Sequence, residues 1–346
     1  MTETLTIRRP DDYHLHFRDG DALQFTVPAT ASVFGRAIVM PNLVPAVTTV
    51  ASALSYRSRV LEAVPAATTF DPLMTLYLTD ATSPEELELA AKTPGIHGVK
   101  LYPAGATTNS KQGVTDISAL YPQFEALQNS DLPLLIHGEV TSPDIDIFDR
   151  ERVFIETHLL GIVQNFPKLR IVLEHITSAA AADFVSQAPE RVAATITPQH
   201  LMHNRNDMLV GGIKPHLYCL PILKTMSDQD ALRTVVASGS PKIFLGTDSA
   251  PHATHAKESA CGCAGCYSAP IALPLYATIF EELGILDKLE GFASVHGANF
   301  YRLPPHKETV TLERVPYRVP DKLAYLSDDG IVPLGAGHDL PWRIQR

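Results

Sequence analysis

Long apolar runs are missing from this chain of 346 residues. A membrane-spanning helix requires roughly 18–20 consecutive apolar residues, so the sequence predicts no transmembrane helix. Residues 1–6 contain no basic region followed by an apolar run, which is the pattern of a secretory signal peptide. We therefore expect a cytoplasmic protein.

Cysteine and positive charge are also scarce. The cysteines are four in number, Cys219, Cys261, Cys263 and Cys266. In a reducing cytosol they are not expected to form structural disulfides. With 28 basic and 38 acidic residues, the net charge of −10 argues against nucleic acid or an anionic membrane as the main partner. A small anionic substrate is compatible with this charge, because a pocket can be locally positive.

Internal repeats and low-complexity tracts are absent, and the recurring unit is a short apolar strand followed by a polar turn and a helical stretch. Predicted strands lie around His14–His16 and at 36–41, 73–78, 98–102, 132–137, 169–175, 192–197 and 242–248. Near-continuous apolar strands that alternate with helices indicate a parallel sheet covered on both faces. Eight such units in about 250 residues predict an α/β fold of the (β/α)8 TIM-barrel type.

A doubly wound open sheet is the alternative fold. It is disfavoured because the chain has no G-x-G-x-x-G turn, and because polar residues end several predicted strands, where barrel enzymes place catalytic groups. We predict helices at 83–91, with Ser83 as N-cap, and at 147–166. Residues 305–346 lack the strand–helix rhythm. The prediction is one domain over 1–346, with 305–346 as an extension packed outside the barrel.

Two histidines separated by one residue, His14 and His16, lie near the start of the chain. Alternate side chains of a β-strand share a face, so both imidazoles point the same way. Imidazole is a common zinc ligand. Taken alone, the pair is also compatible with buried histidines that are satisfied by backbone groups.

Three further residues with ligand chemistry end apolar runs. His137 and His175 each close a predicted strand, and Asp248 closes the last one. One such histidine is usually a core or hydrogen-bonding residue, but two on consecutive strands, with an H-x-H pair elsewhere, favour a metal site. Asp248 either caps the next helix or ligates a metal and accepts a proton from bound water.

Lys100 lies inside an apolar strand, where a cation is expensive to bury. Its side chain either reaches the barrel rim or pairs with a carboxylate. Alternatively, burial leaves a neutral amine that reacts with carbon dioxide. The resulting carbamate is an anion whose two oxygens can bridge two metal ions, and the nearby histidines and aspartate favour this interpretation.

As a set, these motifs resemble the dihydroorotases of the bacterial monofunctional type, within the amidohydrolase superfamily. The segments that carry the resemblance are 8–20, 39–43, 100–103, 137–141, 148–151, 196–200, 218–224 and 246–252. They span about residues 8–270, and the C-terminal quarter contributes little.

The resemblance implies a metal centre with two Zn²⁺ per subunit. Its ligands would be His14, His16 and Asp248 for the first ion, His137 and His175 for the second, and carbamylated Lys100 (N6-carboxylysine) as the bridge. The implied activity is the reversible interconversion of N-carbamoyl-L-aspartate and L-dihydroorotate in pyrimidine (UMP) biosynthesis, with Asp248 moving the proton. A homodimer is implied as well.

The resemblance also assigns substrate contacts. Arg18, Asn42 and His252 would bind the substrate carboxylate, Thr107 and Thr108 would bind from a mobile lid at 104–110, and Leu220, Ala250 and Ala264 would make further contacts. From the residues themselves, the planar fork of Arg18 suits a carboxylate, and a surface ion pair with Asp19 is the plainer alternative.

The cysteines at 261, 263 and 266 have zinc-like spacing, but only Cys219 remains as a fourth ligand. We favour a tight loop with free thiols over a third metal site.

Two other functions compete with the main interpretation. Another cyclic amidase, such as a hydantoinase, would share the metal ligands but has no need of residues that bind a ring carboxylate. A non-catalytic scaffold for a pyrimidine-pathway enzyme, or a substrate-binding module, is disfavoured because all six ligand positions are filled.

Overall fold

Eight parallel strands in sequential order form the central sheet of the computed structural model, which describes residues 3–345. We number all strands β1–β15 and helices α1–α13 along the chain. The sheet strands are β2 (Asp12–Leu15), β3 (Arg36–Val39), β4 (Asp71–Leu78), β5 (Ile96–Leu101), β6 (Leu134–Ile136), β7 (Ile171–Leu173), β8 (Val192–Ile196) and β9 (Ile243–Leu245). Each coincides with a predicted strand, and the predicted (β/α)8 barrel is confirmed.

The barrel closes where the segment after β9 meets β2. The N–H of Asp248 donates to the carbonyl of His14 at 2.8 Å, and the N–H of His16 donates to the carbonyl of Ser249 at 3.0 Å. Beneath these bonds, the buried Asp12 carboxylate accepts from the backbone N–H of Thr247 at 2.9 Å and from its hydroxyl at 2.6 Å. Closure therefore fixes the H-x-H segment beside Asp248.

Helices cover the outside of the barrel. They are α1 (Leu23–Ala31), α2 (Val50–Glu62), α3 (Pro84–Lys92), α4 (Tyr121–Ser130), α5 (Arg150–Phe154), α6 (Leu160–Asn165), α7 (Ala179–Gln187), α8 (Pro198–Met202), α9 (Arg205–Leu209), α10 (Met226–Ala237), α11 (Thr254–Lys257), α12 (Ala272–Glu282) and α13 (His296–Phe300). The predicted cap is confirmed, since the Ser83 side chain accepts the N–H of Glu86.

The helix predicted at 147–166 starts later than expected. The carboxylate of Asp146 accepts the N–H of Phe148 at 2.9 Å, and its carbonyl accepts the N–H of Asp149. This turn holds the chain out of the helical conformation until Arg150. The helix then runs through a π-helical turn at Ile155–Leu159 and ends at Asn165, before Pro167 as predicted.

The N- and C-terminal parts of the chain meet in small antiparallel sheets. Their strands are β1 (Thr4–Arg8), β10 (Thr309–Glu313), β11 (Tyr317–Arg318), β12 (Leu323–Tyr325), β13 (Ser327–Ile331), β14 (Asp339–Leu340) and β15 (Arg343–Ile344). The order β1-β10-β15 joins the first strand of the chain to the last. The division into one barrel domain and an extension at 305–346 stays a prediction.

Strand residues alternate between two cores. Leu135, Val172 and Phe244 belong to a small cluster inside the barrel, while their neighbours, such as Ile171 and Leu173, pack outward against the helices. The inner cluster fills the barrel floor. Side chains that follow it by two residues along a strand therefore enter the space above the floor, at the C-terminal ends of the strands.

Candidate active site

A cavity opens at the C-terminal end of the barrel. Its lining is His14, His16, Arg18, Asn42, Tyr102, Thr107, Thr108, His137, His175, Leu220, Asp248, Ala250, Ala264 and Gly265. Of the residues predicted for the site, Lys100 is fully buried near this lining, and His252 lines an adjoining surface pocket that shares Arg18 and Thr108 with it. Tyr102 and Gly265 were not predicted.

Asp248 lies against both histidines of the H-x-H pair. Its Oδ1 is 3.1 Å from His16 Nε2 and 3.4 Å from His14 Nε2. Burial would raise the pKa of this carboxyl, but the hydrogen bonds and charges of the two histidines outweigh burial and hold it well below its usual range. Burial lowers the pKa of His16 to about 4. This cluster therefore presents an ionised carboxylate beside a neutral imidazole.

Glu174 forms the second cluster, with His14 and His175. Its Oε2 lies 3.0 Å from His14 Nδ1 and accepts a short hydrogen bond from Lys100 Nζ. Burial lowers the pKa of Lys100, although the Glu174 charge opposes this. The ligand atoms of His14, Glu174 and His175 all lie within 4.8 Å of one another. In the unmodified side chain Lys100 pairs with Glu174, which was one of the sequence alternatives, and carbamylation of Lys100 stays a prediction.

His137 lies on the far side of His175, with 4.8 Å between their ring centroids. Its Nε2 is 2.8 Å from the Oε2 atom of Glu139, and both side chains are buried. Burial alone would raise the pKa of Glu139, but the hydrogen bond from His137 and the charges of His137, Lys224 and Arg150 lower it. Glu139 is therefore an ionised acceptor next to a predicted ligand.

Backbone strain brings three of these side chains into the site. Arg18, His175 and Asp248 have φ values of 64°, 42° and 46°, in the left-handed region that costs of order 1–3 kcal/mol for such residues. His175 shows the consequence most clearly. Regular alternation along β7 would point His175 outward, as it does Ile171 and Leu173. His175 lines the cavity instead, because its positive φ turns the chain.

The donor set fits divalent zinc. Among the residues that the structure describes, two sets of three potential ligands lie close together, His14–His16–Asp248 and His14–Glu174–His175. Two buried imidazole nitrogens of the cluster, Nδ1 of His137 and Nδ1 of His175, have no hydrogen-bond partner within residues 3–345. Buried polar atoms rarely stay unpaired, and neutral imidazole with carboxylate is the chemistry that Zn²⁺ prefers.

A positively charged end of the site lies opposite the histidines. The Arg18 guanidinium donates to the carbonyl of Pro251 at 3.2 Å, and its Nη2 lies 2.8 Å from His252 Nε2. Burial and the Arg18 charge lower the pKa of His252 to about 2, so its ring is neutral. Asn42 donates its amide to the carbonyl of Thr108 at 3.0 Å. Arg18 contacts no carboxylate of Asp19, which pairs with Arg59 instead.

Comparison with known proteins agrees with this geometry. The sequence model of the amidohydrolase family matches residues 12–198. The dihydroorotase of Alcanivorax borkumensis is 60% identical over 344 residues, which cover 99% of this chain and 100% of that protein. The chain belongs to the dihydroorotase family. The predicted resemblance is thereby confirmed.

Solved dihydroorotases extend the match to the whole fold. The enzyme of Campylobacter jejuni superposes with a TM-score of 0.91 at 35% identity, covering 100% of this chain and 98% of that one. The enzyme of Saccharomyces cerevisiae, in complex with 5-fluoroorotic acid, gives 0.90 at 33% identity, with 99% and 98% covered. Dihydroorotases are metal-dependent amidohydrolases, so a metal centre is expected in this chain too.

The loop that the dihydroorotase resemblance identifies as a lid lies over the cavity. Thr107 and Thr108 line the cavity, and the Thr108 hydroxyl is 3.5 Å from the carbonyl of Ala264 on the facing loop. Ser110 braces the turn, accepting the N–H of Thr107 at 2.8 Å and donating to its carbonyl at 2.6 Å. Amide–carbonyl hydrogen bonds of 3.0 and 3.1 Å also join Thr108 and Asn109 of the loop to Asn42, and the mobility of the loop stays a prediction.

The cysteines lie behind the Leu220 and Ala264 side of the cavity. Cys219 and Cys266 are buried in one apolar cluster, Cys261 is exposed and Cys263 is half-buried. All four are free thiols. Over residues 3–345, neither set of three clustered ligands includes a cysteine.

Sequence reasoning missed Glu174, Glu139 and Tyr102. Each follows an inward-facing residue by two positions: Glu174 follows Val172, Glu139 follows His137 and Tyr102 follows Lys100. Strict alternation along the strands would have placed Glu174 and Tyr102 in the cavity.

No helix within residues 3–345 is long and apolar enough to cross a membrane.

Proposed function

We propose that this protein catalyses the reversible interconversion of N-carbamoyl-L-aspartate and L-dihydroorotate, a cyclic-amide hydrolysis of pyrimidine (UMP) biosynthesis. The observation that carries the proposal is the pairing, in one cavity, of a histidine–carboxylate cluster with the half-buried Arg18. The cluster suits hydrolysis, and the arginine suits a substrate that has a carboxylate. Membership of the dihydroorotase family supports the same activity.

The metal centre of this proposal uses the six predicted ligands. His14, His16 and Asp248 would hold one Zn²⁺, His137 and His175 would hold the second, and the carbamate of Lys100 would be the sixth ligand. When bound, the ions lower the pKa of a water and polarise the scissile carbonyl. The unpaired buried Nδ1 atoms of His137 and His175 support this ligand set.

Asp248 is the proton carrier of the reaction. Its carboxylate is ionised because two histidines hold its pKa low, and it lines the cavity where the amide must lie. In hydrolysis it takes the proton of the attacking water and returns it to the leaving amide nitrogen. In the reverse direction it takes the proton from the carbamoyl nitrogen as the ring closes.

Substrate binding falls to the opposite end of the cavity. Arg18 binds the substrate carboxylate through its planar guanidinium, with Asn42 and His252 as further hydrogen-bonding partners. Because His252 is neutral, it adds no second charge. The backbone of Leu220 and the segments at Ala250 and Ala264 face the pyrimidine ring, and Thr107 and Thr108 close over it and exclude water.

Replacing Arg18 by Met tests the carboxylate assignment. We expect the KM for L-dihydroorotate to rise roughly 10- to 100-fold, because a charge-assisted hydrogen bond contributes about 1.5–3 kcal/mol, while kcat changes far less. Steady-state kinetics on the variant measure both constants. Arg57→Met, which removes a surface arginine paired with Asp71, is the matched control. An unchanged KM in Arg18→Met would remove this residue from the carboxylate site.

A hydantoinase is the remaining enzymatic alternative. Parallel assays of the zinc-supplemented protein with L-dihydroorotate and with hydantoin separate the two activities. We expect ring opening of dihydroorotate alone, because Arg18, Asn42 and His252 recognise a group that hydantoin lacks. Preferential turnover of hydantoin would overturn the substrate assignment.

A scaffold without activity is disfavoured, since the ligand set is complete. The homodimer expected from the resemblance stays a prediction that sedimentation would test.

A further inference from the structure

A tight turn after β6 places two buried polar side chains side by side. The strand ends at Ile136, and the N–H of Glu139 donates to the carbonyl of His137 at 3.1 Å. Gly138 lies between them, where a Cβ would come within 2.5 Å of Leu173 Cδ1. A side chain at this position would have to displace Leu173, and with glycine there the turn sets the carboxylate of Glu139 against the ring of His137.

The hydrogen bond between these side chains selects one form of the imidazole. His137 Nε2 lies 2.8 Å from Glu139 Oε2, so Nε2 is the ring nitrogen that donates to the carboxylate. In a ring with a single proton, the lone pair is therefore on Nδ1. That Nδ1 is buried and has no hydrogen-bond partner in the described part of the chain. Metal-binding histidines commonly have a carboxylate on the other ring nitrogen for this reason.

We propose that Glu139 is a positioning residue of the metal centre, which fixes the tautomer and orientation of His137 so that Nδ1 is its ligand atom. The inference rests on the proposed metal centre. It assigns a role to a residue that touches neither substrate nor metal. It also predicts an asymmetric effect, because Glu139 acts on the ion held by His137 and His175 and not on the ion held by His14, His16 and Asp248.

Charged groups behind Glu139 explain why it is held there. Lys224 is 3% exposed, with Nζ donating to the carbonyl of Ile222 at 3.0 Å, and its positive charge acts on both Glu139 and Glu151. Glu151 in turn accepts the N–H of Thr177 at 3.0 Å, two residues beyond His175. Glu151 and Lys224 belong to the segments 148–151 and 218–224. They place buried charged side chains behind the predicted ligands His137 and His175.

Zinc binding to the metal-free protein tests the proposal. Competition with a chromophoric chelator gives the number of zinc ions and the affinity of each site, without any assay of turnover. In wild type we expect two sites. In Glu139→Leu we expect one site to weaken roughly 10- to 100-fold, the usual effect of losing such a partner, with the other unchanged. In Glu139→Gln the amide oxygen still accepts from Nε2, so an intermediate affinity is expected.

The matched control is Asp11→Asn. Asp11 is also a buried carboxylate bonded to a histidine, with 2.8 Å between its Oδ1 and His306 Nε2, but neither residue lines the cavity. We expect this variant to lose stability and keep both zinc affinities. Equal weakening in Asp11→Asn and Glu139→Leu, or unchanged affinities in a folded Glu139→Leu, would overturn the inference. Fewer than two zinc ions in wild type would instead count against the proposed metal centre.

The tautomer itself provides a second readout that survives poor folding of the leucine variant. In metal-free wild type, at a pH high enough for the ring to carry a single proton, nitrogen NMR of labelled histidine should show the proton of His137 on Nε2 and not on Nδ1, with the resonance assigned by its loss in His137→Asn. A proton on Nδ1 would overturn the proposal, whatever the variants do.

Discussion

Replacing Asp248 by Asn abolishes turnover while the fold is retained. We expect kcat to fall at least 10²- to 10⁴-fold, the range that general acid–base catalysis contributes, because the amide cannot take a proton from water. The fold survives since the bond that closes the barrel here is made by the backbone N–H of residue 248. Asn also adopts the left-handed conformation, which this position requires at a φ of 46°.

Steady-state rates with L-dihydroorotate, together with circular dichroism, measure these two expectations. Asp80→Asn is the matched control, because that carboxylate is on the surface and accepts from Thr115. It should have the rate of wild type. A rate close to that of wild type in Asp248→Asn would refute the assigned role of this residue as proton carrier.

Replacing Lys100 by Ala removes the proposed carbamate ligand, so we expect the protein to lose bound zinc and activity together. The lysine is fully buried beside Glu174, and its removal leaves a cavity inside the barrel. Short carboxylic acids fit such a cavity and supply two oxygens like those of a carbamate. Adding them should restore part of both metal content and rate, as metal analysis and kinetics will show.

The matched control for this experiment is Lys242→Ala. Lys242 is also buried, and its ammonium donates to the carbonyls of Val185, Ser186 and Ala188 at the end of α7. Its loss should lower stability without changing the zinc content. Full zinc content in Lys100→Ala without added acid would contradict the carbamate ligand.

The barrel could be predicted from sequence because each strand carries a compact apolar run that ends in a polar residue. The run before His137 is an example, since it identifies the strand, the end of the strand and the ligand together. The helix at 147–166 was predicted less accurately, because the turn made by Asp146 overrides the helical propensity of its first residues.

The site was harder to predict wherever its geometry departs from regular strands. His175 has the alternation of an outward-facing residue and enters the cavity only because of its positive φ, which no local pattern reveals. Glu174, in contrast, follows the regular alternation and faces the barrel interior. It was missed because the resemblance to the dihydroorotases rests on its neighbour, His175. Pairs such as Lys100–Glu174 depend on strands that lie 74 residues apart, so only the folded barrel brings them together.

The first measurement is a zinc titration of the metal-free protein, followed by the loss of ultraviolet absorbance of L-dihydroorotate. We expect no ring opening without metal and a rate that rises until about two zinc ions are bound per chain, then falls again when a chelator is added. Full activity in the metal-free protein, or no activity with two zinc ions bound, would rule out zinc-dependent hydrolysis of dihydroorotate by this protein.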